Sequence, residues 1–259
     1  MNDPRTYQQH LDVVRERYAT IASGAESSCC SGGQPLELRD AARALGYSED
    51  QLASLPDGQH LTLGCGNPLA AALLEPGQTV LDLGSGAGFD CFLAAQQVGE
   101  TGHVIGVDMT AEMIARARAA AAKAGHANVE FRLGELSHLP VADATVDVIL
   151  SNCVVNLVPD KAQVFREAHR VLKSGGRLAI SDVVRFADFP PDVLANDAAL
   201  CACISGAATV GEYEAALRAA GFTDIRIVVN DRSGEFIKDW EPGSGAERYV
   251  RSALIEARR

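Results

Sequence analysis

The apolar residues of this chain form short runs that alternate with segments of helical periodicity. The runs predict β-strands over residues 79–83, 103–107, 128–132, 146–151 and 177–183. Between them, apolar residues three or four positions apart predict helices over 89–98, 111–124 and 160–171. Because alternating strands and helices form a parallel sheet with both faces covered, the pattern predicts a doubly wound, mostly parallel α/β fold.

Further helices and strands are predicted on both sides of this alternation. They are helices over 5–22, 36–46, 48–54, 69–74 and 211–220, a helical segment over 191–200, and strands over 223–229 and 253–257, the last at an edge of the sheet. We therefore expect N-terminal helices with a thiol-bearing loop (1–69), a ligand-binding core (70–184) and a C-terminal substrate-binding segment that completes the sheet (185–259). These parts are expected to form one catalytic unit.

Three glycines, Gly84, Gly86 and Gly88, follow the strand at 79–83 with single-residue spacing. Such glycines let the backbone approach a ligand, and Asp108, at the end of the next strand, is placed to accept hydrogen bonds from ribose hydroxyls. The spacing differs from the G-x-G-x-x-G of dinucleotide binders, and Asp82 would repel a pyrophosphate. The sequence therefore favours a cationic, phosphate-free adenosyl ligand, S-adenosylmethionine, over a loop that serves only as a tight turn.

Ligands of an open wound sheet bind beyond the carboxyl ends of its strands, so residues that follow the strands are candidates for the cofactor site. Met109 is shaped to lie on an adenine, and the region of Glu135 could receive the adenine amino group. The alternative for Glu135 is a solvated loop charge. The predicted cofactor-binding residues are Asp82, Gly84, Ser85, Gly86, Gly88, Asp108, Met109, Gly134, Glu135 and Asn152.

Charge and composition exclude several classes of partner. The 259 residues carry a net charge of −11, so no basic field attracts nucleic acid or an anionic membrane surface. No apolar run approaches the length of a membrane span, and the N-terminal residues contain no apolar signal core. We expect a cytoplasmic protein whose seven cysteines are reduced thiols.

The cysteines fall into two groups. Cys91 lies in a predicted core helix and is interpreted as a small buried apolar residue. The others lie near the carboxyl edge of the sheet or on loops that could cover it: Cys29, Cys30, Cys65, Cys153, Cys201 and Cys203. Thiols that converge on a methyl donor suggest a thiophilic substrate, because soft ligands select soft ions. Their spacing does not match a structural zinc site.

Three motifs make the resemblance to a family specific. They are Gly64-Cys65-Gly66, Asn152-Cys153-Val154-Val155-Asn156-Leu157 and Cys203-Ile204-Ser205-Gly206-Ala207. With the glycine-rich loop, they make the chain resemble the arsenite methyltransferases over about residues 11 to 257. The resemblance implies a class I S-adenosylmethionine-dependent methyltransferase fold, with arsenite and methylated trivalent arsenicals as substrates.

The resemblance also implies roles for the cysteines. Cys65, Cys153 and Cys203 would hold arsenic(III), and Cys29 or Cys30 would take part in a thiol/disulfide step; the motif does not decide between these two. Leu63 stands where some family members have an aromatic residue. Because methyl transfer oxidises the arsenic, a thiol reductant, thioredoxin or glutathione, is expected as co-substrate.

Two other functions share parts of this pattern. A methyltransferase for a small organic substrate, such as a quinone or sterol precursor, would have the same core, but carbon and oxygen acceptors usually need a general base. His138 and His169 are the candidates for that base. A metalloid-binding protein with a vestigial cofactor site is the second alternative, and the intact glycine loop with Asp82 and Asp108 argues against it.

Overall fold

The computed structural model describes residues 5–24, 38–56, 64–240 and 244–259. In these ranges the strands are β1 (Thr79–Leu83), β2 (His103–Asp108), β3 (Val129–Leu133), β4 (Val146–Asn152), β5 (Leu172–Arg185), β6 (Thr223–Asn230) and β7 (Val250–Arg258). The α-helices are α1 (Tyr7–Ala22), α2 (Leu38–Ala44), α3 (Glu49–Ala53), α4 (Leu69–Ala72), α5 (Phe89–Val98), α6 (Ala111–Ala124), α7 (Lys161–Val171), α8 (Pro191–Leu194), α9 (Asp197–Cys201), α10 (Val210–Ala220) and α11 (Gly234–Ile237). No helix in these ranges is both long enough and apolar enough to cross a membrane.

The described strands form one sheet in the order β3-β2-β1-β4-β5-β7-β6. The first five strands pair in parallel, whereas β7 is antiparallel to both β5 and β6. This arrangement confirms the predicted doubly wound, mostly parallel fold. The carboxyl ends of β1, β2, β4 and β5 consequently meet at one edge of the sheet, where a ligand site is expected.

The predicted position of the last strand was wrong. The segment 253–257 was expected at an edge, but β7 lies between β5 and β6. The burial of the two strands gives the reason. β7 carries buried residues such as Ala253 and Ile255, while every residue of β6 is half-buried or exposed, including Arg226, which suits a sheet edge.

The predicted helical segment over 191–200 is two short helices. Asn196 lies between α8 and α9, and its side-chain oxygen accepts hydrogen bonds from the backbone N–H groups of Ala198 and Ala199. This is an N-cap, so the chain starts a new helix at Asp197 instead of continuing the first. The break turns the chain so that the residues after Cys201 reach the carboxyl edge of the sheet.

Apolar side chains cover both faces of the sheet, and a third apolar cluster lies at its carboxyl edge. This third cluster contains four cysteines, Cys65, Cys153, Cys201 and Cys203, together with the only tryptophan of the chain, Trp240. Helix α1 packs against α6 and α9. It thereby covers the same edge of the sheet from outside.

Candidate active site

A pocket opens at the carboxyl ends of β1, β2 and β4, beneath α1. Nine of the predicted cofactor residues line it: Asp82, Gly84, Ser85, Gly86, Asp108, Met109, Gly134, Glu135 and Asn152. Gly88 does not line it; a Cβ there would lie 2.7 Å from Phe131 and 2.8 Å from Phe92, so this glycine lets α5 begin close to the sheet. Cys153 lies on the same pocket wall. The predicted adenosyl pocket and one predicted arsenic ligand therefore share a wall.

The glycine loop is held in place by Asp108. One carboxylate oxygen of Asp108 accepts a hydrogen bond from the backbone N–H of Gly86 at 2.9 Å, and the other accepts from Thr110 N–H at 2.8 Å. Burial nevertheless raises the pKa of Asp108. The hydroxyl of Ser85, also on the pocket wall, is buried and has no hydrogen-bond partner among the residues that the structure describes. A ligand with ribose hydroxyls and a polar base would supply the partner that Ser85 lacks and could also donate to the remaining lone pairs of Asp108.

The loop also needs glycine at position 84. Gly84 has a φ of 73°, in the left-handed region. A Cβ at this position would lie 2.4 Å from a side-chain carbon of Val154, which follows Cys153. The glycine therefore brings the loop after β1 into contact with the segment that carries Cys153.

Two buried carboxyl groups, Asp82 and Asp90, line the end of the pocket near α5. Burial and the neighbouring charge of Asp90 raise the pKa of Asp82 well above its usual range, and burial raises the pKa of Asp90 to about 6. The Cys91 thiol donates a hydrogen bond to Asp82 at 3.3 Å. Cys91 therefore makes a polar contact in addition to the apolar packing expected from the sequence. Ionisation of both carboxyl groups is unfavourable unless a cation joins them, which fits a cationic ligand and opposes a pyrophosphate.

This acid pair predicts how cofactor affinity depends on pH. In the folded protein the pKa of Asp90 lies above its unfolded value, so ionisation of Asp90 between about pH 4 and 6 opposes folding, and a bound cation relieves that cost. We expect S-adenosylmethionine affinity to fall as pH drops through 6, towards about tenfold per pH unit, because protonated Asp90 no longer attracts it. Calorimetric titration between pH 5 and 8 measures this.

The matched control is 5′-methylthioadenosine, which keeps the adenosine but has neither the ammonium nor the sulfonium charge. Its affinity should stay nearly constant across the same pH range. Equal pH dependence for the two ligands would show that the acid pair does not bind the charged end of the cofactor.

The three cysteines that the resemblance implies as arsenic ligands lie together. The Cys65 and Cys153 sulfurs and a carboxylate oxygen of Asp182 all lie within 4.8 Å of one another. The Cys203 thiol donates to the carbonyl oxygen of Cys153 at 2.7 Å. Hydrogen bonds with the Cys203 and Cys65 thiols, and burial, raise the pKa of the Cys153 thiol well above its usual range. The fold therefore places thiols from three separate segments in one buried group, here called the thiol group (Cys65, Cys153 and Cys203).

The backbone is strained at two of these thiols. Cys153 has a φ of 59° and Cys203 a φ of 61°, although neither is glycine. Left-handed conformations of this kind cost about 1–3 kcal/mol each and cluster at functional sites. Cys201, two residues before Cys203, lies elsewhere: its thiol faces the carbonyl oxygen of Val13 in α1 at 3.9 Å.

Asp182 was not among the predicted site residues. It is fully buried and accepts hydrogen bonds from the Asn156 side-chain amide at 2.8 Å and from the Val183 N–H at 2.8 Å. Burial raises the pKa of Asp182 to about 6. Tyr213 donates to the Asn156 side-chain oxygen at 3.1 Å and completes the network behind the thiol group. The signal in the sequence was an acid inside the apolar run of β5.

The structure also shows where other residues singled out in the sequence lie. Glu135 lines the pocket and pairs with Arg15 of α1 at 3.4 Å, with both side chains partly exposed. His138 lies beside Ser137, and His169 packs against Phe222; neither lines the pocket. Cys29, Cys30 and Leu63 lie outside the described residues.

The chain is similar to several known proteins. A model of the methyltransferase domain matches residues 74–221. An arsenite methyltransferase of Halobacterium salinarum is 52% identical over 98% of this chain, which spans 68% of that protein. The chain belongs to the arsenite methyltransferase family. A second arsenite methyltransferase, from Aquipseudomonas alcaligenes, is 47% identical over 64% of this chain, which here covers only 49% of the relative.

Solved structures share the fold of this chain. An arsenic(III) S-adenosylmethionine methyltransferase from Chlamydomonas reinhardtii is 32% identical, with a TM-score of 0.62 over 87% of this chain and 74% of that one. A phosphoethanolamine N-methyltransferase of Haemonchus contortus in complex with S-adenosylmethionine, only 17% identical, shares the fold with a TM-score of 0.61 over 86% of this chain. This arsenite methyltransferase family member therefore has the class I S-adenosylmethionine-dependent methyltransferase fold.

Proposed function

We propose that this protein transfers methyl groups from S-adenosylmethionine to arsenic(III) held by Cys65, Cys153 and Cys203. The observation that carries the proposal is the position of Cys153, which belongs to the thiol group and also lines the adenosyl pocket. Thiolates are soft ligands and select a soft metalloid over hard cations. The acceptor would thus be held directly beside the donor, where positioning supplies most of the acceleration.

The raised pKa of the Cys153 thiol is compatible with arsenite binding. Arsenous acid exchanges each of its hydroxyl groups for one protein thiol and releases one water, so three thiols give three As–S bonds and three waters. Each thiol proton leaves with a departing hydroxyl, and the overall exchange neither takes up nor releases protons. A buried thiol with a raised pKa, such as that of Cys153, therefore suits a substrate that brings its own proton acceptors.

The pocket residues are assigned by the groups that they offer. Asp108 is proposed to accept hydrogen bonds from the ribose hydroxyls, and Asp82 with Asp90 to face the methionine ammonium. Met109 and the segment of Gly134 and Glu135 are proposed to contact the adenine. When bound, the cofactor supplies a methyl group at its sulfonium sulfur. Because arsenic(III) attacks through a lone pair, no residue has to remove a proton from the acceptor.

A thiol reductant is part of the proposal. Methyl transfer raises arsenic from the trivalent to the pentavalent state, and two thiols that form a disulfide supply the two electrons that restore arsenic(III). Cys65 is the proposed partner of Cys29 or Cys30 in that disulfide, and thioredoxin or glutathione would reduce it. Such a cycle requires a thiol-reducing compartment such as the cytoplasm.

The test separates a single turnover from steady turnover. Protein reduced beforehand and freed of excess thiol should transfer about one methyl group per active site and then stop, because its own thiols become oxidised. Added thioredoxin or glutathione should restore continuous methylation. Chromatographic separation of arsenic species with elemental detection counts the methyl groups, and steady turnover without any reductant would contradict the proposed cycle.

A further inference from the structure

One side chain connects the Cys65 turn to the adenosyl pocket. Asn152, the last residue of β4, bonds to the turn Gly64-Cys65-Gly66 on both sides of Cys65. Its side-chain oxygen accepts the Cys65 N–H at 3.0 Å, and its side-chain nitrogen donates to the Gly66 carbonyl at 2.9 Å. Removal of this amide would leave a backbone donor and a backbone acceptor of the turn without their partner.

The glycines of the turn make this contact possible. A Cβ at position 64 would lie 2.4 Å from atoms of the Asn152 amide, and a Cβ at position 66 would lie 2.1 Å from the hydroxyl oxygen of Ser181. The Ser252 hydroxyl, from β7, donates to the Cys65 carbonyl at 2.8 Å. Strands β4, β5 and β7 thus hold a turn whose thiol is almost completely buried.

The orientation of the Asn152 amide is itself fixed from the pocket side. Its nitrogen lies 3.2 Å from a carboxylate oxygen of Asp90 and 3.1 Å from the Tyr47 hydroxyl, which donates to the other Asp90 oxygen at 2.7 Å. A carboxylate accepts and does not donate, so the amide nitrogen must face Asp90 and the amide oxygen must face Cys65. Asp90 lines the adenosyl pocket.

We propose that Asn152 is a positioning residue that holds the Cys65 thiol in reach of arsenic, with its amide oriented by Asp90 and Tyr47. The sequence assigned Asn152 to the cofactor, and its side chain does lie on the pocket wall. Its direct hydrogen bonds, however, go to the turn that carries an arsenic ligand. The inference rests on the proposed function in one respect, namely that Cys65 binds arsenic.

The first measurement counts sulfur ligands by X-ray absorption at the arsenic edge, with arsenite bound. Wild-type protein should show three As–S bonds, and Asn152→Ala should show two As–S bonds and one As–O bond. Arsenite affinity should fall about 10- to 100-fold, as is typical when a residue that orients a metal ligand is lost. Cofactor affinity should change less. Three As–S bonds in Asn152→Ala would overturn the proposal.

The second measurement needs no arsenic. Cys65 is buried, so its alkylation by iodoacetamide, followed by peptide mass spectrometry, reports how often the turn opens. Asn152→Ala should speed alkylation of Cys65 at least about tenfold, while Cys91, buried in α5, serves as an internal reference for global opening. An unchanged Cys65 rate, or equal acceleration of Cys91, would overturn the proposal.

Two further variants sharpen the result. Asn128→Ala removes an amide that also bonds to two backbone carbonyls, those of Ala95 and Gly99, but lies away from the pocket. This variant should keep three As–S bonds, and its Cys65 should be alkylated as slowly as in wild type. Tyr47→Phe removes only the hydroxyl that donates to Asp90. Its Cys65 should be alkylated at a rate between those of wild type and Asn152→Ala. If wild-type protein binds arsenic without sulfur while Asn152→Ala still speeds Cys65 alkylation, the proposed function fails and the role of Asn152 in holding the turn stands.

Discussion

Replacement of Cys153 with serine should lower the kcat/KM for arsenite methylation by more than about a hundredfold. Loss of a group that only orients a metal ligand already costs about 10- to 100-fold, and Cys153 is proposed as a ligand itself. A serine hydroxyl is a hard donor that cannot replace a thiolate on a soft metalloid. Arsenite binding should weaken in parallel. It can be measured by the fluorescence of the single tryptophan, Trp240, which lies in the same apolar cluster.

Cys201→Ser is the matched control. Cys201 is a buried cysteine in the same apolar cluster, but its thiol faces the Val13 carbonyl in α1, and it has no place in the thiol group. Its replacement should leave arsenite methylation within a few-fold of wild type. Equal losses in the two serine variants would mean that the cluster matters for packing and not for arsenic.

Replacement of Asp108 with alanine should weaken S-adenosylmethionine binding by about a hundredfold. A hydrogen bond to a charged group contributes about 1.5–3 kcal/mol, and a factor of ten in affinity corresponds to about 1.4 kcal/mol. The variant also releases the Gly86 and Thr110 N–H groups that Asp108 holds, so the glycine loop loses its fixed position. Titration calorimetry with the cofactor measures the effect.

Arsenite binding separates this effect from misfolding. Asp108→Ala should still bind arsenite with near-normal affinity, since the thiol group has no hydrogen bond with Asp108 among the described contacts. Asp143→Ala, which removes an exposed carboxylate paired with Arg170, should change neither affinity. Wild-type cofactor affinity in Asp108→Ala would remove Asp108 from the cofactor site.

The parallel core and the pocket could be predicted because their signals are local. The run ending at Leu83, the glycines after it and Asp108 belong to one strand–helix–strand unit. The rule that ligands bind at the carboxyl ends of strands converts those positions into a pocket. The thiol group could be predicted for a different reason. The segments of Cys65, Cys153 and Cys203 are distant in the sequence; their placement near the carboxyl edge suggested that the thiols converge, and the resemblance to a family selected these three of the six candidates.

The remaining features depend on contacts between distant segments. The order of β6 and β7 in the sheet is decided by which strand buries more apolar surface against β5. The pattern of apolar and polar residues within either strand does not reveal which one does. Asp182 reaches the thiols only through the pairing of β5 with its neighbours. Tyr47 and Asp90 are far apart in the sequence, and neither residue carries a local signal for their hydrogen bond.

Arsenic speciation tests the central claim most directly. Purified protein would be incubated with arsenite, S-adenosylmethionine labelled with ¹³C in its methyl group, and a thiol reductant, next to parallel incubations with quinone and sterol-precursor acceptors. The proposed function predicts labelled methylarsenicals in wild type, none above background in Cys153→Ser, and no label on the organic acceptors. Label on an organic acceptor with unmethylated arsenic in the same protein would contradict it.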